Sequence, residues 1–242
     1  MYAKYVKRLL DILLSGIGLV IGVPIIAIVA LLVRVKLGSP IIFKQERPGK
    51  SKKIFTMYKF RTMTDAKDSE GNLLPDDVRL TKFGAFLRST SLDELPELWN
   101  IFKGDMSIVG PRPQLVRDMM FFSEEQMKRQ DVLPGLTGLA QVSGRNAIAW
   151  EDKLNYDLKY IEKITFLGDC KIILDTVFKV FKREDISADG MSTAEDFGDY
   201  LLRVGQVSEE EYQQNMILSK ELIEIYRNGE SVVVTPGESI GM

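Results

Sequence analysis

The chain has 242 residues, 45% of them hydrophobic, with 32 Lys and Arg against 34 Asp and Glu and a formal net charge of −2. That length allows one domain of moderate size plus appendages, and the balanced charge gives no nucleic-acid signature. There is no histidine and a single cysteine, Cys170. His-dependent triads, Cys-His dyads, structural zinc sites and intrachain disulfides are therefore excluded, and a nucleophile must be Asp, Glu, Ser, Thr, Lys, Tyr or the lone thiol.

The first element is apolar. Residues 9–33 contain 25 positions with one charge, Asp11, about 37 Å of helix against a hydrocarbon core of about 30 Å. Lys4, Lys7 and Arg8 precede it, and Arg34 and Lys36 follow it. Basic flanks mark the cytoplasmic side of a membrane segment. Their presence at both ends, with Pro24 near the middle, favours a bent, re-entrant helix hairpin over a simple span. No small-residue cleavage pattern follows the apolar run, so a cleaved signal peptide is not expected.

Two short strands are expected next, at 41–43 and 54–60, separated by the basic turn Arg47-Pro48-Gly49-Lys50. Lys59 and Arg61 share a strand face with Met57, suited either to phosphate or to solvent. The polar, Asp-rich stretch 64–77 reads as a mobile loop. Leu80, Phe83 and Leu87 then mark a short amphipathic helix that delivers Arg88.

The chemistry centres on Ser91-Leu92-Asp93-Glu94-Leu95-Pro96-Glu97-Leu98-Trp99-Asn100. Leu95, Leu98, Trp99 and Phe102 recur with helical spacing, so this face is expected to be buried against the core. Ser91 and Glu94 have the spacing of a capping box, although Pro96 allows the regular helix to begin only there. Asp93 and Glu94 lie at the positive helix end, which favours their ionised, nucleophilic or metal-binding form. The same pair also reads as a plain acidic first turn.

Beyond it, Pro111 and Pro113 restrict the backbone around Arg112, presenting a guanidinium suited to phosphate. Pro134-Gly135-Leu136-Thr137-Gly138 and Ser143-Gly144-Arg145-Asn146 bracket a short apolar strand. A helix with Trp150, Leu154, Leu158 and Ile161 carries Asp157 at the edge of its apolar stripe, as a salt-bridge partner or a site residue. The helix expected at 169–182 mixes apolar and basic residues and suits a membrane surface. Two polar amphipathic helices, 193–204 and 208–227, precede an unplaced tail.

Taken together, these residues resemble the bacterial sugar transferases, the monotopic phosphoglycosyl transferases, and in particular their small PglC-like members. The resemblance covers about residues 1–190. It rests on the basic apolar N-terminus with Pro24, KFRTM at 59–63, SLDELPELWN, GDMSIVGPRP from Gly104 and PGLTGLAQVSGRN from Pro134. It implies a mainly helical α/β fold: a re-entrant membrane anchor over 1–38, a compact cytoplasmic catalytic domain over 39–190 with interfacial amphipathic helices, and a C-terminal helical extension and tail over 191–242. It also implies a place at the cytoplasmic face of the bacterial inner membrane, among membrane lipids.

The implied reaction moves a sugar 1-phosphate from a nucleotide diphosphate sugar, usually a UDP-sugar, to undecaprenyl phosphate. By carry-over, Asp93 attacks the sugar-bearing phosphate and expels UMP, and the lipid phosphate then displaces Asp93. Glu94 helps to hold Mg²⁺, while Lys59, Arg88, Arg112, Arg145 and Asp157 serve the phosphates. The extension exceeds the small family core and is open to self-association or a pathway partner. Two other readings stand beside this one: direct attack by the lipid phosphate with the carboxylates only binding Mg²⁺, and a non-enzymatic membrane-anchored anion-binding module.

Overall fold

The computed structural model describes residues 1–144, 149–182 and 195–230. A π-helical turn, Tyr2–Val6, runs into the long apolar helix α1, Lys7–Leu37. Strands β1, Ile42–Pro48, and β2, Ile54–Phe60, form an antiparallel hairpin in which Phe43 faces Lys59 and Arg47 faces Phe55. Short helices α2, Asp76–Arg79, and α3, Lys82–Ser89, lead to a 3-10 turn, Leu92–Glu94, and then to α4, Glu97–Lys103. The chain continues through β3, Ser107–Val109, α5, Val116–Met119, and α6, Glu124–Met127, to β4, Gly135–Thr137, which pairs with β3 in parallel. Helices α7, Leu139–Gly144, α8, Trp150–Glu162, α9, Phe166–Lys182, α10, Phe197–Arg203, and α11, Glu209–Arg227, complete the described chain. The fold is mostly helical with two small sheets.

Helix α1 is continuous through Pro24, with no turn separating two arms of a hairpin. Both of its ends lie against the same domain. Near the start, Asp11 is only 3% exposed. Its Oδ2 accepts from the Ser107 hydroxyl at 2.8 Å and its Oδ1 from the Ile108 amide at 2.9 Å. Arg8 donates to the carbonyls of Ile101 and Phe102, at 2.6 and 2.9 Å, at the C-terminal end of α4, where free carbonyls and the negative helix end welcome a cation. Near the end of α1, Val29, Val33 and Leu37 share an apolar cluster with Phe60 of β2 and Leu87 of α3. The single charge inside the apolar run is thus a docking group.

The helical face at Leu95, Leu98, Trp99 and Phe102 is a core face only in its first half: Leu95 and Leu98 are partly buried against core clusters, whereas the other two are exposed. Trp99 is 49% exposed and Phe102 40%, and the two rings stack with centroids 5.9 Å apart. Their neighbour is the anchor: a Cβ on Gly16 of α1 would lie 3.3 Å from Phe102, and one on Gly18 3.4 Å from Leu98. Helical periodicity finds an apolar face but not which apolar partner it meets.

Residues 139–144, expected to include a strand, form α7. The sheet pairing stops at Thr137, and the Val142 amide instead donates back to the Gly138 carbonyl at 3.1 Å. Leu139 and Val142, three apart, then face one cluster with Ile172 and Tyr160, which a helix satisfies and an alternating strand does not.

The C-terminal helices belong to the largest core cluster, where Phe197, Leu201 and Leu222 pack with Ile54, Val116, Phe122, Trp150 and Leu154. Arg227 adds a two-pronged pair with Glu46 of β1, at 2.9 and 3.0 Å, and the Tyr226 hydroxyl lies 3.1 Å from that of Thr56 on β2. Much of the apolar contact that these amphipathic helices need is supplied within the chain. The tail after residue 230 lies outside the described residues.

Replacing Asp11 by Leu makes α1 more apolar yet strands a buried hydroxyl and a buried amide, each costing about 1–3 kcal/mol. The expected outcome is undiminished membrane binding with a lower thermal midpoint in detergent; an unchanged or higher midpoint would show that the docking bonds contribute nothing net.

Candidate active site

A continuous cleft of about 1520 Å³ runs across the face of the β1–β2 hairpin and collects Lys59, Arg88, Asp93, Glu94, Arg112 and Asp157. Arg145 lies outside the described residues. The cleft exists because three local structures converge on the end of β2.

The first is the turn that carries the carboxylates. Ser91 adopts a left-handed conformation, φ 54° and ψ 18°, which a residue other than glycine takes up only at some cost. It reverses the chain after α3 and lays Leu92–Glu94 down as a 3-10 turn. The expected capping box does not form: Ser91 makes no side-chain cap, and the Glu94 carboxylate accepts instead from Lys59 at 2.8 Å and Arg112 at 3.4 Å. A cation is the stronger partner for a carboxylate. The regular helix starts after Pro96, as its missing donor predicts.

The second is α4 itself, pinned to β2 by Asn100. Its carboxamide donates to the Thr56 carbonyl at 2.7 Å and accepts from the Tyr58 amide at 3.1 Å, so Lys59 next along the strand is set beneath the turn. Lys59 also lies 3.0 Å from Glu97, a third carboxylate that the sequence reading passed over. Glu97 is three residues after Glu94 and four after Asp93, the spacing at which helical side chains meet.

The third is the pair of arginine supports. Gly84 brings α3 onto the chain after β2, since a Cβ there would lie 1.8 Å from the Thr62 carbonyl oxygen. That contact places Arg88, whose Nε donates to the Thr62 hydroxyl at 3.1 Å. Arg112 is held from behind: its carbonyl accepts from Arg129 Nη2 at 2.6 Å, and Arg129 forms a buried pair with Asp157 at 2.5 Å. Asp157, expected as a salt-bridge partner or a phosphate-shell residue, makes the pair. It acts on the cleft wall through Arg129, a residue with no distinguishing signal in the sequence, 28 positions away.

These contacts separate the three acids electrostatically. Burial drives Asp93 above the ordinary carboxylate range and its neighbour Glu94 adds to the shift, against the opposing fields of Lys59 and Arg88. Burial also opposes the charge of Glu94, but Lys59 and Arg112 overcome it and hold this acid down at about 2. Glu97, buried and sharing Lys59 with Glu94, is pushed up to about 7. Burial would lower Lys59, but Glu94 and Glu97 reverse that and raise it, so it stays charged. Neighbouring acids of sharply different acidity are a mark of acid, base or nucleophile chemistry.

The bacterial sugar transferase family model matches residues 2–183. The chain is 50% identical over 191 residues to the uncharacterized sugar transferase EpsL of Bacillus subtilis (strain 168), a match covering 79% of this chain and 95% of EpsL. It is 41% identical over 185 residues to the UDP-glucose:undecaprenyl-phosphate glucose-1-phosphate transferase of Klebsiella pneumoniae, covering 72% of this chain and 40% of that protein. Identity is also 41% over 188 residues to the galactosyl transferase CpsE of Streptococcus agalactiae serotype III (strain NEM316), covering 71% and 41%. The chain thus spans about two fifths of these last two relatives. A family match that runs from the apolar helix to the end of α9, with a relative at half identity aligned over 95% of its own length, means that this chain belongs to the bacterial sugar transferase family.

Proposed function

We propose that the chain transfers a sugar 1-phosphate from a UDP-sugar to undecaprenyl phosphate, giving an undecaprenyl diphosphate sugar and UMP, as the first membrane step of polysaccharide or glycoconjugate synthesis. One observation carries the reading: a buried Asp93 carboxylate stands beside an ionised Glu94 in a cleft ringed by Lys59, Arg88 and Arg112. Leu95 and Leu98 line the same cleft and also touch α1, so the charged site adjoins the apolar anchor. A lipid phosphate needs that junction, because its chain stays in hydrocarbon and its charge stays out. Relatives named as UDP-glucose:undecaprenyl-phosphate glucose-1-phosphate transferases agree with this choice.

In the first step a carboxylate oxygen of Asp93 attacks the phosphorus that carries the sugar. An O–P bond forms, the bond to the bridging oxygen breaks, and its electron pair leaves with UMP. In the second step a phosphate oxygen of undecaprenyl phosphate attacks the same phosphorus, and Asp93 leaves as a carboxylate. Both steps bring an anion onto a phosphate, so their difficulty is one of alignment and charge. Lys59, Arg88 and Arg112 offset that charge from a fixed frame, with little reorganisation.

Mg²⁺ suits this donor set. It is a hard cation that takes one or two carboxylates together with substrate phosphate oxygens, and among the described residues no cluster of three or more acidic, His or Cys side chains forms a cage of protein ligands. Glu94, held ionised, with Asp93 beside it, would hold the ion, which supplies neutralisation of the donor's diphosphate oxygens.

The anchor is read as re-entrant, with the domain on the cytoplasmic face of the bacterial inner membrane. Support comes from the basic flanks at both ends of α1 and from the attachment of both ends to one domain. Exposed Trp99 and Phe102 on α4, and Leu167, Leu174 and Phe178 on α9, then lie at the lipid interface.

Intact-protein mass spectrometry after incubation with Mg²⁺ and a panel of UDP-sugars, without lipid acceptor, is expected to show an added sugar phosphate. Asp93→Asn should carry no adduct and lose turnover by on the order of 10³-fold or more. Lipid product without any adduct would replace the covalent route by direct transfer, and near wild-type turnover in Asp93→Asn would remove that residue as the nucleophile. Because Asp93 attacks in its ionised form and sits above the usual range, kcat/KM should fall as pH drops through a value above the ordinary aspartate value of about 3.9. A pH–rate profile in nanodiscs whose acid limb lies at or below about pH 4 would contradict the assignment.

A further inference from the structure

Arg47 is a cation that the resemblance leaves without a task. It lies on β1 opposite Phe55 and lines the cleft with Arg112 and Arg117. Four other cleft arginines have acidic partners: Arg61 pairs with Asp65, Arg79 with Asp76, Arg112 with Glu94 and Arg117 with Asp196. Among the described residues no carboxylate lies within ion-pair distance of Arg47. Its Nη2 donates to the Gln45 carboxamide oxygen at 2.6 Å, and its Nε is buried with no hydrogen-bond partner. Burial, together with the field of Arg112, lowers its pKa to about 10, against the opposing fields of Asp118 and Glu97. A guanidinium still carries its charge there, and a partly buried one with no carboxylate partner and a buried, unbonded Nε has unmet capacity to bind an anion.

The charge balance of the cleft says what that is. Lys59 and Arg112 are already engaged with Glu94 and Glu97. A donor brings two adjacent phosphates into the cleft; in the proposed reaction the one that Asp93 attacks takes the place beside the carboxylate pair, and the other needs a further cation. Asp93 contributes to the field at Lys59, Arg88 and Arg112, whereas the charged groups acting on Arg47 are Arg112, Asp118, Glu97 and Arg117. Arg47 thus lines the same cleft within the fields of Arg112 and Glu97, and Asp93 is not among the groups that act on it most strongly.

Resting on the reaction proposed above, we infer that Arg47 is a further donor-binding residue, whose guanidinium receives the nucleotide-side phosphate, the one that departs in UMP. The planar fork of arginine matches two phosphate oxygens. Gln45 holds one terminal nitrogen, which orients the fork before the donor arrives.

The test compares wild type with Arg47→Gln and Arg47→Lys in nanodiscs. Without ligand, Arg47→Gln should melt no lower than wild type, because it removes a partly buried charge that no carboxylate pairs. Its donor KM should rise about tenfold or more while the undecaprenyl phosphate KM stays within about twofold, the signature of lost donor binding. Arg47→Lys, which keeps the charge but not the fork, should fall between the two. The probe UMP should raise the melting midpoint of wild type but not of Arg47→Gln, whereas a sugar 1-phosphate should protect both. A lower ligand-free midpoint with donor and acceptor KM rising together would make Arg47 a structural residue. Loss of protection by the sugar 1-phosphate rather than by UMP would move it to the other phosphate and overturn the assignment. Wild type that turns over, with UMP protection and donor KM unaltered in Arg47→Gln, removes Arg47 alone; wild type that makes no product with any UDP-sugar removes the reaction and this role together.

Discussion

Lys59 stands between two carboxylates, 2.8 Å from Glu94 and 3.0 Å from Glu97, and the site depends on that shared charge. Three acids within five residues repel one another, and burial makes each costlier to ionise. One ammonium cannot satisfy all three. It works with Arg112 to keep Glu94 ionised and leaves Glu97 near the edge of protonation and Asp93 raised. The division of labour among chemically similar side chains is set by their distance from one cation. The Asn100 clamp, the left-handed Ser91 and the late start of α4 all serve to bring that cation and those acids to one point.

A second layer keeps the cations themselves in place. Arg129 is 2% exposed and bridges the Asp157 carboxylate to the Arg112 carbonyl. A buried pair of this kind gains little net stability over apolar packing. Its directional bonds fix the Pro-Arg-Pro backbone instead, so the Arg112 guanidinium can remain half-exposed and ready for a ligand without the loop wandering. Asp118 plays a similar part further along, accepting from the amides of Leu115 and Phe197 and so tying α5 to the start of α10.

Periodicity and punctuation made much of this legible. Leu80, Phe83 and Leu87 foretold α3, the mixed apolar and basic run foretold α9, and Ser208 marked the start of α11, where its hydroxyl accepts from the Glu211 amide. The carboxylate pair and Arg112 stood out because proline neighbours and adjacent like charges are uncommon local patterns. What stayed hidden were partners far apart in the chain: Asp11 with Ser107, Arg129 with Asp157, Glu46 with Arg227. No local pattern encodes such a contact: Asp11 and Asp157 stand out as acids in or beside apolar runs, but nothing near them in the chain names Ser107 or Arg129 as the partner. The stretch 139–144 failed for another reason: six residues are too few for period two and period 3.6 to be told apart. Trp99 and Phe102 failed because an apolar face pattern is the same whether it meets a core, a neighbouring helix or lipid.

The attachment of α1 at both ends changes what the surrounding bilayer feels. An isolated apolar helix answers a change in membrane thickness by tilting. Here Arg8 and Asp11 fasten one end to α4 and β3, and Val29 and Val33 fasten the other to β2 and α3. The helix cannot tilt without the whole domain tilting, so thickness mismatch falls on the lipids, which must thin or thicken around a rigid wedge. The position of the Asp93–Glu94 pair relative to the apolar helix is thereby a property of the folded protein, not of the membrane that receives it.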